Sequence, residues 1–373
     1  MRLESLAVHA GAEPDAATGA LAPPIHLSTT FQHGPAGERV GPYEYTREGN
    51  PAQSALEGAL AALEGGAAAL AFGSGMAATD ALMSAFPEGS QILIPRDVYH
   101  GARVLAREFL ARQGIRTEAV DMTDAPSVAA AVTAQTRCIW LETPSNPQLR
   151  IGDIAVIAEI AHRAKAILAV DSTFATPCLQ QPLALGADVV MHSTTKYFGG
   201  HSDVMGGALV FARHGELHDA IAHMRHVRGA VLAPFNAWLT LRGLRSLPAR
   251  MAWHCRNARA VAEFLAGHPG VERVNWPGLP THPNHAIAAR QMRDFGGMLS
   301  VRIKGGRAAA LSLASKVKLF TNATSLGGCE SLIEHRASVE GPTPVSPDNL
   351  LRLSVGLEHP DDLVADLAQA LEF

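Results

Sequence analysis

Asp188-Val-Val-Met-His-Ser-Thr-Thr-Lys-Tyr197 is the stretch on which the fold turns. Val189 to Met191 make a short apolar run of strand character, followed by three hydroxyl residues, Ser193, Thr194 and Thr195, then by Lys196 and a glycine turn at Gly199-Gly200. Open α/β sheets gather their ligands at the carboxyl ends of their strands, and this segment offers hydroxyls and an amine at that place. A solvated lysine at a strand end is the competing reading of Lys196 taken by itself.

Outward from this strand the chain alternates short apolar runs with helical spacing. Strands are expected at Ala67–Phe72, Gln91–Ile94, Arg137–Leu141, Ala166–Val170, Ala187–Met191 and Ala208–Phe211, with helices at Met76–Ala85, Ala102–Arg112, Val128–Ala134 and Ile154–Ala164. Strands without polar alternation, separated by helices, imply a mostly parallel sheet covered on both faces. Upstream, Pro51 followed by Leu56, Leu60 and Leu63 predicts an amphipathic helix stopped by Gly65-Gly66. Residues 1–50 hold so many turn formers that they read as an extended arm, which must lie on something.

Downstream, helical patterns run from Asn236 to Ala266 with a break at Leu244-Arg-Ser-Leu-Pro248, and Val271–Trp276, Met298–Ile303 and Leu350–Ser354 read as half-buried strands before a closing helix at Pro360–Leu371. The expected organisation is an arm (1–50), a large α/β unit (51–230) and a smaller C-terminal α+β unit (231–373).

Composition limits the function. The 373 residues are 47% hydrophobic and 18% charged, with a net charge of -4 and no basic block, so nucleic acid and anionic membranes are poor partners. With no long uncharged apolar run, and an N-terminus that lacks the apolar segment of a signal peptide, a cytoplasmic location is expected. The four cysteines lie far apart, and His282-Pro-Asn-His285 has no carboxylate or cysteine company, so no metal site is expected.

Polar clusters follow the expected strands. Gly73-Ser-Gly-Met-Ala-Ala opens a helix whose free N–H groups suit a phosphate, although a turn without ligand has the same residues. Asp171 ends an apolar strand, where a carboxylate is costly unless paired; it could also cap a helix. Lysine forms imines with carbonyl compounds, and pyridoxal phosphate is a carbonyl cofactor that carries a phosphate, so Lys196 with its hydroxyl neighbours points to that cofactor. Asp171 would then face the pyridine nitrogen, Tyr99 could stack on the ring and Asn146 could donate to it, though either could be a turn residue. Arg352, inside the apolar Leu350–Val355 run, suits the carboxylate of an amino acid; a salt bridge to a glutamate competes.

Together these segments resemble the pyridoxal-phosphate enzymes of cysteine and methionine metabolism: cystathionine γ-synthase, γ-lyase and β-lyase, and methionine γ-lyase. The similarity runs through Val8-His-Ala-Gly, Tyr45-Thr-Arg-Glu-Gly-Asn-Pro51, Gly73-Ser-Gly-Met76, Glu142-Thr-Pro-Ser-Asn-Pro147, His192-Ser-Thr-Thr-Lys-Tyr197, Gly200-His-Ser-Asp203, Ser325-Leu-Gly-Gly-Cys-Glu330 and Arg352-Leu-Ser-Val-Gly-Leu-Glu358. It implies an aspartate-aminotransferase-like fold and a homotetramer of two active dimers. Lys196 would be the Schiff-base lysine and Asp171 the partner of the pyridine nitrogen. Gly75, Met76, Ser193 and Thr195 would hold the phosphate, joined by Tyr45 and Arg47 from the neighbouring subunit. Tyr99 would stack on the ring and, like Tyr45, could assist proton transfer, while Asn146, Thr324, Ser325 and Arg352 would face an amino-acid substrate.

The resemblance favours γ-elimination or γ-replacement on a sulfur amino acid or homoserine derivative, in the manner of a cystathionine γ-lyase or γ-synthase. A cystathionine β-lyase, methionine γ-lyase or O-acylhomoserine sulfhydrylase stands next. Thr324 departs from the glutamate usual in γ-synthases and γ-lyases, Leu326 from the bulky aromatics of bacterial β-lyases, and Gly101, after His100, from the cysteine of methionine γ-lyases. A non-catalytic cofactor-binding relative would be expected to lose Lys196, Asp171 or Arg352, all present, and a nicotinamide enzyme would need a third glycine after Gly73-Ser-Gly75.

Overall fold

A computed structural model describes residues 1–341 and 344–372. Seven strands build the large sheet: β1 (Ala68–Phe72), β2 (Gln91–Pro95), β3 (Arg116–Val120), β4 (Thr136–Glu142), β5 (Ile167–Asp171), β6 (Val189–His192) and β7 (Gly207–Phe211). Their order is β1-β7-β6-β5-β4-β2-β3, parallel throughout except for β7, which runs antiparallel to both neighbours. Side chains leave a strand alternately on its two faces, so Ile92, Trp140 and Ala169 enter one apolar layer while Leu93, Leu141 and Val170 enter another.

Six of these strands are the expected ones. The addition is β3, whose Arg-Thr-Glu-Ala-Val sequence is largely exposed; as an edge strand it carries no apolar run to announce it. Helix α1 (Leu3–His9) corrects the reading of residues 1–50 as wholly extended: Leu3 and Ala7 lie one turn apart and bury against helix α2 (Pro51–Glu64). Asn50 caps α2 by accepting from the Ala52 N–H, and Gly65, at φ 71°, ends it in a left-handed conformation that costs glycine little. The rest of the arm lies open, with Leu21 74% and Leu27 67% exposed.

The helices Pro234–Leu244 and Leu247–Gly267 meet at the expected break. Beyond them, β8 (Val271–Asn275), β9 (Met298–Ile303), β10 (Thr321–Asn322), β11 (Leu332–His335) and β12 (Leu350–Ser354) form a second sheet in the order β10-β11-β12-β9-β8. Half-burial holds for β8 but not for β9 or β12, which are covered on both faces. Leu299, Val301, Leu351 and Leu353 pack on the helices at 247–267 and 360–370, while Ser300, Arg352 and Ser354 bury on the other side. The helices Glu216–Arg228 and Gly306–Lys316 and strand β11 had no expectation in the sequence reading.

Candidate active site

Parallel register sets three side chains in a row at the carboxyl edge of the large sheet: Glu142 of β4 stands opposite Asp171 of β5, which stands opposite Met191 of β6. Helix α3 (Gly75–Met83) starts directly past β1, capped by Ser74, whose hydroxyl accepts from the Ala77 N–H at 3.0 Å. Its first N–H groups, at Gly75 and Met76, have no partner within the helix. Gly75 is needed for the close approach, because a Cβ there would stand 2.8 Å from that of Ser193.

These elements and the segment 324–326 enclose a cavity of about 350 Å³. Lys196, Tyr99, Asp171, Gly75, Met76, Ser193, Thr195, Asn146, Thr324, Ser325 and Arg352 all line it. Tyr45 and Arg47 do not. Arg47 donates to the His226 carbonyl at 2.8 Å and lies over the Tyr45 ring, and Tyr45 is 45% exposed on the arm.

Lys196 donates from Nζ to Ser325 Oγ at 2.7 Å. Burial, with the Arg352 guanidinium adding to it, pushes its ammonium down from 10.5 to about 8. Ser325 is held with φ at 81°, a left-handed conformation unusual outside glycine, and its carbonyl accepts from Arg352 Nη2 at 2.9 Å. One serine thus joins the lysine to the arginine.

Arg352 is 3% exposed. Its Nη1 donates to Asn146 Oδ1 at 3.1 Å and its Nη2 meets Glu334 Oε2 at 2.7 Å, so it both lines the cavity and makes the salt bridge that competed with a ligand role. Its Nε–H is buried without a partner among the described residues. At the other end, Ser193 donates its N–H to Thr173 Oγ1, and the Thr195 hydroxyl is turned to Gly206, exchanging hydrogen bonds of 3.1 Å with its N–H and carbonyl.

The sequence reading missed Glu142, Thr173, Trp140 and the pair Glu334 and Arg336. Glu142 carries the same signal as Asp171, a carboxylate ending a buried strand, and accepts the N–H groups of Tyr99 at 2.9 Å and Asn146 at 2.7 Å. Burial pushes both carboxyls upward, Glu142 further because Asp171 lies beside it. Asp171 Oδ1 accepts from the Thr173 N–H and hydroxyl, which works against that rise.

Pyridoxal phosphate fits these residues. Two adjacent carboxyls, Glu142 buried and Asp171 half-buried, with no ion-pair partner among the described residues call for a cation beside them, which a protonated ring nitrogen supplies. The Gly75 approach leaves helical N–H groups open for an anion, and the desolvated Lys196 amine lines the same cavity. Among the described residues no group of three potential metal ligands forms, and no helix is long and apolar enough to cross a membrane.

The depressed Lys196 value has a measurable consequence in cofactor-free protein. Between pH 8 and 10.5 the unfolded chain still holds the proton that the folded chain has released, so stability rises with pH across that window, by up to roughly 3 kcal/mol. Urea unfolding at a series of pH values should show this rise in the wild type and its loss in Lys196→Met.

The family model described as Cys/Met metabolism PLP-dependent enzyme matches residues 4–372. A cystathionine γ-synthase of Mycobacterium tuberculosis is 53% identical over 371 residues, covering 98% of this chain and 95% of the relative. A cystathionine β-lyase of Coxiella burnetii is 43% identical, covering 99% and 97%. The solved structure of metB from Corynebacterium glutamicum superposes with a TM-score of 0.97 at 44% identity, over 100% of this chain and 98% of that one. With Lys196, Asp171 and the start of the helix at Gly75 lining one cavity and the family model matching residues 4–372, the chain belongs to the pyridoxal-phosphate-dependent enzymes of cysteine and methionine metabolism.

Proposed function

We propose that the chain carries out γ-replacement or γ-elimination on a homoserine derivative or sulfur amino acid, as a cystathionine γ-synthase or γ-lyase does. The Lys196 amine carries this reading. Burial brings its ammonium down to about 8, so it gives up its proton far more readily than an exposed lysine, and it is held by a hydroxyl and by no carboxylate among the described residues, on a four-carbon stem. Chemistry at Cγ needs protons removed and returned at both Cα and Cβ, and one mobile amine that is easily protonated and deprotonated can serve both.

When bound, pyridoxal phosphate supplies an electron sink for negative charge at the substrate Cα. Lys196 would be its point of attachment, Asp171 would hold the proton on its ring nitrogen, and Tyr99 would cover the ring. The N–H groups of Gly75 and Met76, with Ser193, would hold the phosphate, joined by Thr195 once its hydroxyl turns from the Gly206 carbonyl. Arg352, steadied by Asn146 and Ser325, would bind the substrate α-carboxylate and so fix which bond at Cα stands perpendicular to the ring.

The 53% identity to a cystathionine γ-synthase supports the γ reading. So does Gly101: a Cβ there would meet the Tyr99 ring at 2.7 Å and Met76 Sδ at 2.9 Å, so the cysteine of methionine γ-lyases has no room unless the ring shifts. The test is a product assay on acylated homoserines, cystathionine and methionine. Cystathionine formed from an acylated homoserine and cysteine, or 2-oxobutyrate, is expected; pyruvate from cystathionine as the main product would replace this reading with β-elimination.

We further infer a homotetramer of two active dimers, in which Tyr45 and Arg47 reach the phosphate of the neighbouring subunit. The exposed arm, with Leu21, Leu27 and Tyr45 uncovered, supports this. Lys196→Ala and Arg47→Ala chains, each inactive alone, should regain about a quarter of wild-type activity when unfolded and refolded together, since half the dimers are mixed and each holds one intact site. No recovery in verified mixed dimers would place Arg47 outside the shared site.

A further inference from the structure

His100 stands beside Tyr99 without a part in the chemistry described so far. It opens helix α4 (His100–Glu108), is half-buried and lines the cavity. The turn before it is pinned, because Glu142 Oε2 accepts from the Tyr99 N–H at 2.9 Å. Arg103, one turn further along the helix, meets the imidazole, with Nη2 3.1 Å from His100 Nδ1. A guanidinium has no lone pair with which to accept, so Nδ1 is the acceptor and the ring proton lies on Nε2.

The Arg103 side chain makes no other hydrogen bond and no ion pair among the described residues, and its Nη1 is buried without a partner. Its one bond therefore orients the His100 ring. Nε2 of that ring makes no hydrogen bond among the described residues. The other polar side chains of the wall have partners or roles: Thr79 donates to the Gly75 carbonyl, Thr173 to Asp171, and Arg336 is tied to Glu334. Arg352 and Lys196 serve the substrate α-carboxylate and its protons, and Thr324 is exposed. The substituent on the substrate Cγ is the group left without a contact, and the His100 Nε2–H is the oriented donor left in the wall.

We propose that His100 is a further catalytic residue, which donates from Nε2 to the oxygen that leaves Cγ of an acylated homoserine. The Cγ–O bond breaks with its electron pair, which departs on the acyl carboxylate. The Cβ–H pair, whose proton Lys196 has taken, becomes the second bond between Cβ and Cγ. Charge gathers on the departing oxygen as the bond stretches, so the hydrogen bond is stronger in the transition state than in the bound ester, and no proton has to cross. A thioether sulfur accepts only weakly, so the same contact favours an oxygen leaving group over a sulfur one. The inference rests on the proposed γ-chemistry.

The experiment compares 2-oxobutyrate release by wild-type, His100→Phe and His100→Gln holoenzymes from O-acetylhomoserine and from cystathionine. Phenylalanine keeps a ring without the donor, and glutamine returns an N–H. His100→Phe is expected to lose about 10- to 100-fold in kcat on the ester and less than about threefold on the thioether, with KM little changed, and His100→Gln to recover at least about threefold of the ester loss. Visible absorption of the bound cofactor and the urea midpoint should match the wild type in both variants, which a role in holding the cofactor or the fold would not allow. Equal losses on the two substrates, no loss, a larger loss on the thioether, or a wild type that cleaves the thioether and not the ester overturns the proposal. If the wild type releases pyruvate in place of 2-oxobutyrate, the γ reading fails by itself, and the same variants are compared on O-acetylserine against cystathionine, where the ester must again be the substrate that suffers.

Discussion

Lys196→Ala is expected to lower turnover by roughly 10⁴-fold or more while leaving the fold intact. Among the described residues its amine makes one hydrogen bond, to Ser325 Oγ, and burial already disfavours its charge, so removing it relieves a cost at neutral pH. The variant should match the wild type in circular dichroism and unfold at equal or higher urea in cofactor-free form, yet lose the visible absorption of lysine-bound cofactor. Small primary amines added to the assay should restore part of the activity, because they supply the missing proton carrier. A variant that turns over within tenfold of the wild type would remove Lys196 from the chemistry.

Asp171→Asn should cost roughly 10²- to 10³-fold in kcat, in keeping with the loss of one preorganised electrostatic contact. The amide keeps the size of the carboxylate and can still accept from Thr173 through its oxygen. What it loses is the charge that would keep a proton on the cofactor ring nitrogen. Stability should move the other way. Burial raises the Asp171 carboxyl above its ordinary 3.8, so above that value the folded, cofactor-free protein holds a proton the unfolded chain has released, and wild-type stability falls as pH rises through the window. Asparagine removes that fall. Cofactor-free Asp171→Asn should therefore be at least as stable as wild type at neutral pH, with weaker cofactor binding measured by dialysis. If the variant is less stable and fully active, the carboxylate is a structural cap and not a cofactor partner.

These two residues were legible because Asp171 ends the apolar strand β5 and Lys196 follows the apolar strand β6 by four residues, and a titratable group at or just past the end of a buried strand is unusual in any local window. Glu142 has the same mark but stood inside Glu142-Thr-Pro-Ser-Asn146, where turn residues drew the reading; only the pairing of β4 with β5 sets it against Asp171. Helix α1 was hidden because seven residues give less than two turns, and its burial comes from α2 and not from its own pattern. The fate of Arg352 depended on Glu334, its cross-strand partner in β11, a strand too short to be read from sequence. Tyr45 and Arg47 carry motif residues without reaching the cavity of their own chain.

Apolar periodicity, glycine stops and strand-end polar residues determined the α/β class and six of the seven large-sheet strands, and singled out Lys196 and Asp171, which line one cavity, since each is written within a few consecutive residues. Tertiary structure alone decided the company those residues keep: Ser325 against Lys196, Glu334 between Arg336 and Arg352, and Glu142 beside Asp171. Such contacts join positions distant along the chain or set by strand register, and register and domain packing follow from the summed burial of many side chains, which no local stretch encodes.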